Sequence, residues 1–539
     1  MRKQTIYILS LLAAVLLANV LARCFVVRLD LTDDRRYSLS DATRRLLRDT
    51  DRPVEVTLWL DGELNSGFRR LRTATEELLD EMDVYADIRY RTGNMDSVPQ
   101  RLAPIVIHER SRRGRTEQTT VYPYATVRYG ANMAVVGLLR NTRGLSGEQN
   151  LNNSIENLEY AFAEALHALC QPSVPRIAFL EGHGELPERY VADLTDALSP
   201  HFRVDRGNPG YDPQALSDYS ALIIAAPAEP FSDADKYVID QYIMRGGRVL
   251  WVLDGVRFSR DVLSSDGFTP VIPLELNLTD MLFRYGARVA PALVQDLQCL
   301  PVPADVSSDP SHPNYQPVPW TYAPLLLTSQ VSPVTRNLGQ VSCNFASPVE
   351  AVGGDDGIDK QILLATSSAS RVTGTPAQVD LGELNPDPAL FRYQFIPVAM
   401  SLEGRFTSAF RHLGRPDSIR TALPQLTECE QPARQIIIAT GSIIRNDVQQ
   451  GQPLPVGYDR YSGMQFSNRD FLVNSLLWLT DTDGLIGLRQ KTVALRLLND
   501  ERAHRHITAI QAVSILTPLL LLSLTGLIVL LVRRRLYTR

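Results

Sequence analysis

The chain has 539 residues, 44% of them apolar and 21% charged, with a formal net charge of −5 at pH 7. That length suits roughly three domains, and the apolar share is that of folded protein, so core size is not limiting. The slight acidity excludes a general electrostatic attraction to nucleic acid, which needs a basic face.

In chain order, the first element is an uncharged stretch, QTIYILSLLAAVLLANVLA, at residues 4–22. It is close to the roughly 20 residues that cross a hydrocarbon core of about 30 Å. An uncleaved anchor (residues 1–27) is expected. The alternative is a secretory signal peptide, which should end in a small-x-small site, whereas here Arg23 precedes Cys24.

Ser40 is a plausible N-cap for a short helix through Leu46 and Leu47, with Asp41 in its first turn. Val54, Val56, Leu58 and Leu60 alternate with Glu55, Thr57 and Trp59 as a strand, turned by Asp61 and Gly62. Phe68, Leu71, Thr75, Leu78, Leu79 and Met82 recur at helical spacing, and a strand at 88–91 completes a β-α-β unit. Its third arm is expected from 105–108 with the pair 119–129 and 134–139. Residues 28–145 thus read as a small α/β domain with a thioredoxin-like outline. It carries no redox pair, which excludes thioredoxin chemistry.

A connecting segment, 146–172, holds an amphipathic helix expected over 153–169, with Ile155, Leu158, Phe162 and Leu166 on one face. Beyond Pro172 and Pro175 the pattern becomes near-continuous apolar runs at 177–180, 221–226, 249–253, 362–365 and 436–439. Such runs separated by helices are what strands buried on both faces of a parallel sheet look like. One crossover helix is expected at 233–244, capped by Ser232 and stopped by Gly246 and Gly247. The echo between QILLAT at 361–366 and QIIIAT at 435–440 reads as two similar buried strands. One mostly parallel α/β domain, 173–485, is therefore expected, with a Pro-rich, loop-rich insertion at 256–359 that carries Trp320 and Tyr322. The region 466–498 reads as helical, and 486–506 as a juxtamembrane segment.

The last stretch, residues 507–532, has no charge and runs into Arg533, Arg534 and Arg535, with Arg539 beyond. It is expected to span the membrane, leaving 533–539 as a basic tail. With Arg2 and Lys3 at the other tip, the positive-inside rule predicts both termini in the cytosol and the central region outside.

Chemistry is sparse. In an open α/β sheet, ligands bind beyond the carboxyl ends of the strands. That places Glu181, His183 and Glu185 after the first strand, and Asp254 after the third, as crevice candidates. Glu181, His183 and Glu185 suit acid/base or metal work, but the favoured reading is that Gly182 and Gly184 shape a tight turn whose polar side chains make caps and hydrogen bonds. The turn Ala226-Pro227-Ala228-Glu229-Pro230 supplies neither Cys nor Ser as a nucleophile. No G-x-x-x-x-G-K-[ST] occurs, so ATP hydrolysis through a P-loop belongs to a separate subunit. The five cysteines (Cys24, Cys170, Cys299, Cys343, Cys429) lack metal-ligand spacing; a Cys299–Cys343 bridge and burial as thiols are both open. The acidic run at 353–359 reads as a solvated loop. Nothing here calls for a cofactor, a metal or catalytic residues.

Four stretches resemble the GldG family, the gliding-motility-associated auxiliary component of an ABC transporter in Bacteroidetes-type bacteria. They are LDLTDDRRYSLS at 29–40, FLEGHGE at 179–185, LVQDLQC at 293–299, and GYDRY at 457–461 with NRDFLVN at 468–474. The resemblance spans nearly the whole chain. It implies a GldF-type permease-like subunit and a cytosolic GldA-type ATPase as partners, and an inner-membrane protein with a periplasmic domain. It further implies that the large sheet resembles a non-catalytic class I glutamine-amidotransferase-like fold. It carries over no active site. A non-enzymatic transporter subunit is thus the expected function. Its alternatives are a membrane-tethered periplasmic hydrolase or metal-dependent enzyme using Glu181, His183 and Glu185, and a substrate-binding protein in the strict sense.

Overall fold

The computed structural model describes residues 39–537, apart from 95–97, 101, 111–115, 140–145, 171–173, 306–313, 354–356, 383–385, 483 and 491–506. The apolar stretch at 4–22 and Cys24 therefore lie outside the described residues. The chain divides into two compact units, Met1–Thr492 and Val493–Arg539.

In the first unit, helix α1 (Asp41–Arg48) starts where Ser40 accepts a hydrogen bond from the Thr43 N–H. Strand β1 (Val54–Leu58), helix α2 (Ser66–Asp83) and β2 (Ile88–Thr92) form the β-α-β unit, with β1 and β2 parallel. The third arm differs from expectation. Strands β3 (Ile105–Arg110) and β4 (Thr116–Val121) pair only with each other. Pro123, which has no N–H to give a ladder, separates β4 from β5 (Tyr124–Tyr129). Strand β5 joins β1 and β6 (Asn132–Gly137) antiparallel, giving the order β2-β1-β5-β6.

The single helix expected over 153–169 is two: α3 (Gly147–Glu156) and α4 (Leu158–Cys170). The break at Asn157 follows Asn152, Asn153 and Ser154, residues that compete with the helix for backbone bonds; Ser154 Oγ donates back to the Asn150 carbonyl at 2.6 Å. Phe162 and Leu166 of α4 enter the small sheet's core, while Tyr160 and Ala163 enter that of the large sheet. The helix thus clamps the two cores together.

Among the described residues the large sheet has ten strands, nine along one path and the two-residue Val341–Ser342 paired beside it. Strands β7 (Arg176–Leu180), β8 (Arg203–Gly207), β9 (Ala221–Ala225) and β10 (Val249–Val252) are parallel in the order β8-β7-β9-β10. Their alternate residues fill two cores: Ile223 and Val252 point to one side, Ile224 and Trp251 to the other. That double burial explains the unbroken apolar runs. Helix α5 (Ala192–Leu198) covers the first face. Helix α6 (Asp233–Met244) covers the second, with a capping box between Ser232 and Asp235 and Gly246 in the left-handed region past its end.

The rest of the sheet is antiparallel, which corrects the expectation of a mostly parallel one. Strands β11 (Cys299–Asp305), β12 (Tyr315–Thr328), β13 (Asp359–Ala365) and β14 (Pro397–Gly404) continue it to β15 (Ala433–Ile438). Strand β15 pairs β10 parallel and β14 antiparallel, so it is the seam between the halves. The two echoing segments are not equivalent: Ile436 is fully buried in β15, while Ile362 of β13 is 45% exposed. Nor is the insertion loop-rich. It supplies the 14-residue β12, and Trp320 and Tyr322 pack with Phe345 in an aromatic cluster. Helix α7 (Asn468–Thr480) backs the first face and ends at Asp481, followed by a short 3-10 turn at Leu485–Gln490 rather than a continuous helix.

In the second unit, helix α8 (Ile507–Tyr537) contains a segment, Val513–Arg535, long and apolar enough to cross a membrane. Pro518 sits inside it.

Candidate functional site

The carboxyl ends of β7, β9, β10 and β15 share one edge of the sheet, and the turns leaving them build the site. After β7 the chain reads Glu181-Gly182-His183-Gly184-Glu185. Gly182 and Gly184 have φ of +126° and +69°, and a Cβ on Gly182 would lie 2.4 Å from the Asn208 Nδ2, so the turn admits glycine there. The His183 carbonyl accepts hydrogen bonds from the Ala228 and Glu229 N–H groups, both at 2.9 Å, which docks this turn on the one after β9.

Among the sequence-predicted residues, His183 and Glu185 come together. The His183 Nδ1 lies 3.1 Å from Glu185 Oε1, and the His183 N–H donates to Glu185 Oε2 at 2.7 Å. The other ring nitrogen, Nε2, lies 3.3 Å from Asp235 Oδ2 on the first turn of α6. The ring stacks on Phe231 at 3.7 Å. Burial pulls the His183 pKa down, but the bonds to Glu185 and Asp235 outweigh it, and the value stands above the ordinary one. Burial pushes the Glu185 carboxyl up, yet the His183 ring and N–H outweigh that and hold it below its usual range. The two carboxylates approach opposite ring nitrogens, so the three side chains do not converge on one point. Among the described residues no group of three or more His, Cys, Asp or Glu side chains is placed to hold a metal ion.

Glu181 turns away from this cluster. Its Oε1 accepts from Arg206 Nε at 2.9 Å, and Arg206 also donates to the Leu186 carbonyl. Asp254, after β10, is separate again: its Oδ1 accepts the Gly441 N–H at 2.7 Å. Burial pushes the Asp254 carboxyl up, opposed by the Gly441 N–H and the charge of Arg260. Ala226, at the end of β9, has a φ of 50°, a left-handed conformation that is costly for a residue with a Cβ.

Residues the sequence did not single out complete the edge. Asp235 was hidden as a helix-capping residue. Arg260 and Arg445 follow the ends of β10 and β15: Arg260 Cζ lies 5.5 Å from the Phe258 ring centroid, and Arg445 Cζ 4.0 Å from that of Tyr190. An excess of positive side chains beyond parallel strand ends is the signal that would have found them. Cys170, Cys299, Cys343 and Cys429 are all free thiols, so the Cys299–Cys343 pair is unbridged.

A family model described as an ABC-type uncharacterized transport system matches residues 174–475, the whole of the large sheet. A model of a domain of unknown function matches residues 33–128. No curated protein matches the chain. The solved structure described as the mmIFT52 N-terminal domain is similar at 15% identity over 57% of this chain and 98% of that one, with a TM-score of 0.32. The first match takes in more than half of the chain, and the protein belongs to the family of auxiliary components of ABC-type uncharacterized transport systems.

Proposed function

We propose that this chain is a GldG-type, non-enzymatic auxiliary subunit of a gliding-motility-type ABC transporter. In this reading it associates with a GldF-type permease-like subunit and a cytosolic GldA-type ATPase, and its large domain binds an envelope partner or ligand in the periplasm. The observation that carries it is the family match over residues 174–475 in a chain that also holds the membrane-length helix segment Val513–Arg535. The basic residues at both tips support two spans in the inner membrane with cytosolic termini. The parallel strands β8, β7, β9, β10 and β15, with the left-handed Ala226 closing β9, support an amidotransferase-like ancestry for the sheet.

A silent site also fits the local geometry better than the hydrolase reading. Both His183 nitrogens are engaged by carboxylates, and Glu181 is spent on Arg206. The test is recovery of the tagged chain from membranes in mild detergent: a permease and an ATPase should accompany it, and repeated absence of both refutes the proposal. If His183→Ala with Glu185→Gln abolishes function while the folded chain and its partners are retained, the enzymatic alternative replaces it.

A further inference from the structure

At the amino end of β15, away from the turns described above, the sheet opens on a cavity of about 200 Å³. A cavity of about 150 Å³ already admits a benzene-sized molecule, so a small organic ligand has room. Its floor is a row on the antiparallel half: Asp359 of β13 lies across from Glu403 of β14, and Glu403 across from Arg434 of β15. Residues so placed have Cβ atoms about 4.5–5.5 Å apart, and like charges at that separation repel. Arg434 relieves only one of the two carboxylates. Its Nε donates to Glu403 Oε1 at 2.8 Å, its Nη1 donates to the Trp478 and Asp481 carbonyls, and its guanidinium lies over the Trp478 ring. Asp359 accepts only from the neutral Gln361 amide among the described residues, at 2.8 Å. Asp481, past the end of α7, adds a third carboxylate whose oxygens accept the Leu485 and Ile486 N–H groups. Three carboxylates against one guanidinium give the lining a net charge of −2. Ser401, across from Gln361 on the same face, also lines the cavity. It is only 4% exposed, and its hydroxyl has no hydrogen-bond partner among the described residues. Such a group costs free energy unless something in the cavity answers it. Pro333, Trp478 and Ile486 supply apolar wall.

We propose that this cavity binds a small organic cation, a primary ammonium head on a short apolar tail. The inference rests on the ligand-binding reading of the large domain given above and names a site and a ligand class for it. An ammonium has three N–H donors and no acceptor. The carboxylates of Asp359 and Glu403, the Ser401 hydroxyl and the Gln361 carbonyl oxygen are acceptors on one floor, and Pro333 and Ile486 offer the tail its wall. The charge between Asp359 and Glu403 turns a cross-strand repulsion into two attractions. A neutral molecule leaves that repulsion in place, and an anion adds to it. A metal ion matches less well, since among the described residues no three His, Cys, Asp or Glu side chains are placed to hold one.

The experiment is ligand-detected NMR titration of the full chain in detergent at constant ionic strength and neutral pH, with butylammonium as the probe. Butanol and butyrate carry other heads on the same kind of tail and form the comparison arms. A ligand of about five non-hydrogen atoms should bind in roughly the millimolar range. Butylammonium is expected to saturate there, with butanol and butyrate at least about tenfold weaker, the loss of charge-assisted hydrogen bonds. Glu403→Gln should weaken butylammonium about tenfold, and Asp359→Asn, at the exposed rim, about threefold to fivefold. Asp359→Glu should keep most of the affinity. Because Asp359 is exposed, its variants fold even if Glu403→Gln does not, and they then decide the matter. Two further arms, free ethanolamine and micelles doped with phosphatidylethanolamine, locate the source of the head. Tighter binding of the free amine assigns a soluble ligand, and tighter binding of the doped micelles a lipid head. Absence of saturation by about 50 mM butylammonium, butanol or butyrate binding as tightly, or indifference to both Asp359→Asn and Glu403→Gln overturns the proposal. The transporter association is read out separately by co-purification and survives such a failure.

Discussion

Replacing His183 should expose how the turn after β7 is held to α6. In the folded chain the ring bridges Glu185, whose side chain is 3% exposed, and Asp235, which is 18% exposed. A neutral imidazole has one N–H and satisfies only one of these carboxylates; the bridge needs the imidazolium. A hydrogen bond to a charged group contributes about 1.5–3 kcal/mol, and the more exposed Asp235 contact lies at the low end or below it. His183→Ala should therefore cost about 2–4 kcal/mol when the ring is charged. Because the His183 pKa is raised on folding, its contribution is complete below the unfolded value of 6.5 and is lost as pH rises through the higher folded value. Because the Glu185 pKa is lowered, its contribution is present above 4.5 and is lost as pH falls through the lower folded value. Both act together between pH 4.5 and 6.5. Guanidinium denaturation of wild type and His183→Ala in detergent, near pH 5.5 and near pH 8.5, should show the mutational cost falling by about half at the higher pH, where one bond survives. An equal cost at both pH values refutes the imidazolium bridge.

Asp240 accepts from Tyr285 Oη at 2.8 Å, Ser408 Oγ at 2.7 Å, the Ala409 N–H at 2.8 Å and Gln241 Nε2 at 3.0 Å, all buried under α6. Asp240→Ala leaves those donors unpaired and should cost about 3–5 kcal/mol by the same denaturation measurement; a loss under about 1 kcal/mol contradicts the network. Gly441→Ala has no room for its methyl group and should destabilise the chain by about 1–3 kcal/mol, while Gly210→Ala, strained in backbone but open in space, should cost less. Burial pushes the Cys299 and Cys429 thiols up to about 11 and Cys343 higher still, so a thiol reagent near neutral pH should label unfolded chain rapidly and these three positions in folded chain slowly. Fast labelling of Cys343 in the folded protein contradicts its position in the core.

Where one local rule decides an element, the sequence is readable. Ser232 before an acidic turn and Gly246 after an apolar run delimit α6 to the residue. The runs at β7, β9, β10 and β15 announce strands because both faces are buried. Strand β14 and the edge strand β8 escape notice for different reasons: β14 begins at a proline, which reads as a strand breaker, and β8 reads Arg-Val-Asp-Arg-Gly, charged because an edge strand faces solvent. The orientation of β13 was beyond periodicity, since pairing direction is set by partners distant in sequence. At the candidate site the glycines around His183 mark the turn, but Asp235 lies on another element, and Arg260 and Arg445 gain meaning only once three strand ends meet.

Ten of the twelve residues of α6 are buried, an unusual degree for a crossover helix, because the segment carrying Phe406, Phe410 and Leu426 lies over its outer side. That segment is made late. Asp240 and Ser408 are 168 positions apart, so at about 5–20 residues per second the helix waits on the order of ten to thirty seconds of synthesis for its cover. Through that interval Tyr237, whose ring meets Phe410 edge-on in the finished fold, and the Asp240 carboxylate face water. The nascent chain therefore passes through a stage at which a chaperone-binding surface exists that the finished protein no longer has.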